Sequence, residues 1–145
     1  MKPLYFIALI IIFSGASAYA QTAKIPFIDR ALKAIAAADY ETIEGLRGEI
    51  KPEHIPVLVS KWKKTLPWEQ KDAFIMLLMD QQDDKIMPVM RDGLDSPTIE
   101  NRAAALCILK KDFNLHNTLY DKNGWVIAKK VEEEVAKYKK RHPKN

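Results

Sequence analysis

The chain holds one cysteine, five glycines and three histidines in 145 residues, and each shortage closes a chemical route. Cys107 has no partner, so no internal disulfide can form and the fold must rely on its core. It lies in an apolar block, where it reads as a small buried hydrophobe. Five glycines leave little room for a phosphate-cradling loop, and neither G-x-S-x-G nor H-E-x-x-H occurs. His54, His116 and His142 are isolated, without the second His or Cys that a zinc site needs at short spacing. The segment Asp121-x-Asn123-Gly124 is similar to part of a calcium loop. Placing Gly124 at the sixth loop position puts Leu119 at the first and Lys130 at the twelfth, where carboxylates are required. Asp80, Asp83 and Asp84 read as a solvated loop between helices. The expectation is a non-catalytic protein without cofactor or metal.

Apolar runs are also short. The longest near the N-terminus, Leu4 to Phe13, is half the roughly 20 residues a membrane span requires. It follows Lys2 and precedes Ala18-Tyr19-Ala20, the three-part pattern of a secretory signal peptide cut before Gln21. Residues 1–20 are thus expected to be a signal peptide, and residues 21–145 a single exported domain, periplasmic or secreted. Its 125 residues suffice to bury roughly two-thirds of the unfolded surface.

Excess positive charge is confined to one place. From Lys129 onward there are seven Lys or Arg and three Glu, whereas residues 21–128 carry fifteen Lys or Arg against sixteen Asp or Glu. A near-neutral body argues against a basic groove for nucleic acid.

What the sequence does contain is a repeat. Ala73–Met79 follows Pro67 by six residues, and Ala103–Leu109 follows Pro97 by six, so proline and apolar block recur together at an offset of 30. Leu, Met and Ala favour helix over strand, and a block apolar all round must be covered on several sides. Shorter amphipathic helices precede each block. One carries Val57, Leu58 and Trp62; the other begins near Ile86-Met87-Pro88 and closes at Asp92-Gly93. Ser96-Pro97 reads as N-cap and first helical residue of the second block. Phe27, Ile28, Leu32 and Ile35 recur at helical spacing after Pro26, and Asp39 caps a following helix ended by Gly48. A basic helix over about 125–141 closes the chain. Its narrow stripe of Ile127, Val131, Val135 and Tyr138 suits a terminal cap, and Glu133 and Lys137 form an i,i+4 pair.

Leu94-Asp95-Ser96-Pro97 followed by Arg102-Ala103-Ala104 and Leu106 resembles the inner half of a HEAT-like repeat, over residues 56–109. That resemblance implies an all-α fold, a short right-handed α-solenoid of stacked helix pairs, in which a turn Asp and a second-helix Arg tie successive repeats. This chain departs from it in placing Asp72 where the next unit has Arg102, and in a period shorter than the usual ~40–47 residues.

Partner-binding candidates are Trp62 and Trp68, which flank a turn between helices, with Arg91 and Arg102. The competing reading makes both tryptophans core residues. Lys137, Lys139, Lys140 and Arg141 are candidates for contact with an anionic surface, or simply complement a helix dipole. The functional expectation is a protein-binding module, an adaptor or an inhibitor of a toxin or enzyme. The alternative is a binder of anionic lipid or wall polymer through the last helix.

Overall fold

The computed structural model describes residues 25–65 and 67–144. The expected signal peptide, residues 1–20, lies outside the described residues. Those described form an all-α protein of eight α-helices with no β-sheet, and no helix among them is long and apolar enough to cross a membrane.

Helices α1 (Pro26–Ala36) and α2 (Tyr40–Leu46) pack on each other. Pro26 occupies the first helical turn, where a missing N–H costs no hydrogen bond. Asp39 caps α2 by accepting from the Thr42 amide and hydroxyl. Gly48 lies in a 3-10 turn, Arg47–Glu49, that extends α2 beyond its last α-helical residue. Helices α3 (His54–Trp62) and α4 (Trp68–Leu78) follow, then α5 (Met87–Gly93) and α6 (Ile99–Lys110), and α7 (Phe113–Leu119) and α8 (Ala128–Arg141). The second helices also meet one another in order: α2 packs on α4, α4 on α6 and α6 on α8.

Both apolar blocks are helical, and α4 is central, touching α1, α2, α3, α5 and α6. Ala73, Phe74, Ile75, Leu77 and Leu78 are each no more than 1% exposed. Each of the larger ones contributes about 1.5–3 kcal/mol by leaving water. Opposite Ile75, α5 approaches so closely that a Cβ on Gly93 would stand 2.9 Å from Ile75 Cδ1 and 3.1 Å from Ala105 Cβ.

Three expected details shift. The cap of α6 is Thr98 rather than Ser96: the helix starts at Ile99, and the Ser96 hydroxyl, which donates to Asp72, accepts from the Thr98 amide just ahead of the helix. The last helix begins at Ala128, not near Trp125. The Asp121 carboxylate accepts from the Asn123 and Trp125 amides, and Tyr120 pairs with Val126 in a short antiparallel bridge, holding that stretch extended. Within α8, Lys137 pairs with Glu134 one turn back rather than with Glu133.

Candidate functional site

A groove of about 580 Å³ crosses the second helices of three successive pairs. Tyr40 opens α2, Met76 belongs to α4, with Met79 just beyond it, and Asn101 and Ala104 lie on α6; Tyr120, after α7, closes one end. Met76, Met79, Ala104 and the two tyrosine rings give it apolar and aromatic walls, interrupted by Arg47, Thr98, Glu100 and Asn101, and Tyr40 is 41% exposed. Burial raises the Tyr40 phenol above its ordinary range, with help from the negative charges of Asp72 and Glu69. Burial likewise raises Tyr120, aided by Cys107 and Glu100. Both phenols are therefore neutral hydrogen-bonding groups at physiological pH.

Asn101 stands apart among the groove residues. It is 8% exposed, yet its side-chain amide has no hydrogen-bond partner among the described residues. The amide oxygen and nitrogen are not sealed off from solvent, so at the groove they are open to meet a donor and an acceptor of a ligand. Arg47, at another edge, is met by the Asp80 carboxylate.

Beneath the groove lies a buried polar junction. The Asp72 carboxylate on α4, 4% exposed, accepts from Ser96 Oγ at 2.6 Å and from Thr98 Oγ1 at 2.8 Å. Ser96 Oγ in turn accepts from the Thr98 amide at 3.0 Å. Alongside it, Lys71 and Asp92 pair at 2.9 Å, and the Lys71 ammonium sits 4.9 Å from the centre of the Trp68 ring.

The sequence-derived candidates are scattered rather than convergent. Trp62 is half-buried against the core at the end of α3, its indole N–H without a partner among the described residues. Trp68 is half-buried at the start of α4, Arg91 is exposed on α5, and Arg102 is half-buried on α6. None of the four lines the groove. Asp95, the turn acid that the HEAT-like resemblance associates with a repeat-linking Arg, instead accepts from Lys139 and Lys144. Burial alone would raise the Asp95 carboxyl, but those two ammonium groups hold it below its ordinary value.

Among the four C-terminal cations, Lys137 and Lys139 are thus held in ion pairs, while Lys140 and Arg141 are exposed with no ion pair among the described residues. Lys137 and Lys110 converge on Glu134 and hold its carboxyl at about 2. Trp125, assigned by its sequence to the last helix, projects from the Asp121–Gly124 turn and is 73% exposed. His54 is a core residue: it stacks on Phe27 at 4.3 Å and its Nδ1 accepts from the Lys51 amide. Among the described residues no group of three His, Cys, Asp or Glu side chains could hold a metal ion. Burial pushes the Cys107 thiol above its ordinary value, which disfavours the reactive thiolate.

The groove residues were missed because they belong to no motif. Tyr40, Met76 and Tyr120 each read as ordinary members of an amphipathic pattern. Asn101, between Glu100 and Arg102 in a short polar run, gives no sequence signal either. No protein-family model, no curated protein and no solved structure matches the chain.

Proposed function

We propose that the chain is an exported, non-catalytic protein-binding module, built as a short right-handed α-solenoid with α8 as its cap, that takes its partner on the groove of the second helices. The observation that carries this reading is that one groove draws residues from α2, α4 and α6 together, so a partner lying along it would contact three helix pairs at once. Stacked pairs present such extended faces as a consequence of their geometry. The second helices start at Tyr40, Trp68, Ile99 and Ala128, steps of 28, 31 and 29 residues, which supports a repeated unit across the described chain. Export rests on the N-terminal sequence pattern alone.

The ion pairs of Lys137 and Lys139 favour this reading over an anionic-surface binder, since they direct half of that basic cluster toward the protein itself. The test is affinity capture by residues 21–145 from the cell envelope, beside the Ala104→Arg variant, which places a long cation in the groove. Stoichiometric recovery of one protein by the parent and not by the variant is expected. Equal recovery by both, or lipid and wall material alone, overturns the reading.

A further inference from the structure

We infer that the groove recognises an extended peptide segment through its backbone at Asn101, and that the segment carries a Lys or Arg next to an apolar residue. This rests on the protein-binding reading and specifies its ligand.

The Asn101 side chain is a primary amide, with one carbonyl acceptor and two N–H donors on adjacent atoms. A peptide group displays the complementary donor and acceptor, so one side-chain amide can meet a backbone N–H and C=O with little regard to sequence. A helical or folded partner has already used those backbone groups internally. An extended segment leaves them free, which selects the conformation of the occupant. Met76, Met79 and Ala104 beside Asn101 then offer an apolar, adaptable floor for one side chain of the segment.

Charge selects the rest. The groove's one cation, Arg47, is neutralised by Asp80. Glu100 lines the groove with no ion pair among the described residues. Asp72 is satisfied by two hydroxyls rather than by a cation, so its negative charge is hydrogen-bonded but not cancelled. Asp72 and Glu69 both act on Tyr40, which places their field at the groove wall. A Lys or Arg in the occupant answers this excess, and the neighbouring Tyr40 ring offers a face for that cation.

The experiment uses residues 21–145 and three fluorescein-labelled eight-residue probes: alternating Leu and Lys, alternating Leu and Glu, and the Leu–Lys sequence with alternate backbone amides N-methylated. Anisotropy should show saturable binding of the first, with at least tenfold weaker binding of the second and third. Asn101→Leu, close in volume, should weaken the Leu–Lys probe about tenfold, the scale of one lost buried hydrogen bond. Glu100→Gln should weaken it less and flatten its salt dependence. Asn101→Ala, which removes the amide without adding charge and favours the helix, guards against misfolding of the leucine variant and should also weaken binding. Equal binding of all three probes, or unchanged affinity in both Asn101 variants with native circular dichroism, overturns the inference. Envelope capture that is lost in Ala104→Arg but retained in both Asn101 variants would overturn it while leaving the protein-binding reading in place.

Discussion

The two junctions on either side of α6 are fastened by different chemistry. Toward α4, the contact closes over a buried carboxylate: Asp72 takes two hydroxyl donors from the turn that leads into α6, and Gly93 lets α5 sit against Ile75. Toward α8, the polar contacts are ion pairs nearer the surface, Lys110 with Glu134 at 2.9 Å and Asp95 with Lys139 and Lys144, around the apolar Val131 and Val135. A hydrogen-bonded charge shielded from water is costly to break, because its removal strands buried partners. Exposed ion pairs are screened by salt and contribute little each. The central junction should therefore behave as one cooperative unit, and the C-terminal helix should open first.

The largest expected effect is on the central junction. Asp72→Ala strands the buried Ser96 hydroxyl and removes an acceptor from the exposed Thr98 hydroxyl, and should lower stability by about 2–3 kcal/mol in urea titration. Asp72→Asn, which keeps an acceptor, should cost about half as much. A loss below about 0.5 kcal/mol for Asp72→Ala would erase the distinction between the junctions.

Next comes Gly93→Ala. Its added methyl meets Ile75 Cδ1 and Ala105, and overpacking of this kind costs about 1–3 kcal/mol. Ile75→Val removes that Cδ1, so the double variant should be less destabilised than the sum of the two single changes. Strict additivity would mean that the close approach is not what limits the site.

The C-terminal junction should respond more weakly and to different variables. The hydrogen bonds from Lys137 and Lys110 lower Glu134 from its ordinary 4.5 to about 2. Its contribution is full above pH 4.5, where the carboxylate is ionised in folded and unfolded chains alike, and is lost as pH falls toward 2. Because these are surface pairs, Glu134→Gln should cost about 0.5–1 kcal/mol at pH 7 and remove that part of the acid dependence. A variant whose acid titration overlays the parent's would show that Glu134 does not link the helices.

Smallest of all, Asp95→Asn should change global stability by less than about 0.5 kcal/mol. It should still raise hydrogen-exchange rates in α8 while leaving α4 unchanged, and molar salt should do the same to the parent. Equal acceleration in α4 and α8 would merge the two junctions into one.

The sequence made the helical pattern legible because apolar residues are cheap to place and expensive to expose. The blocks Ala73–Met79 and Ala103–Leu109 therefore announce buried helices, and α4 lies at the centre. Asp39 was readable as a cap because its acceptor reaches an amide three residues on, within the same segment. Asp121 has the same local reach, but its capture of the Trp125 amide competes with a helix that the apolar stripe alone extends back to residue 125. Ser96 was legible only in part. Its oxygen does take a nearby amide, that of Thr98, but its donation to Asp72, 24 residues earlier, ties it to α4, which local spacing does not show.

The same division governs the site. Local spacing and side-chain chemistry determined by themselves that the described chain is all-helical, where most helices lie, and that the charge excess sits at its end. Only the tertiary structure decided that Tyr40, Met76, Asn101 and Tyr120 share one groove, that Trp62, Trp68, Arg91 and Arg102 lie outside it, and that Lys137 and Lys139 turn to acids within the fold. The reason is physical. Helix formation is set by neighbours three and four residues apart, whereas a groove and its unpaired amide are made by segments dozens of residues apart, whose meeting depends on how the whole core packs.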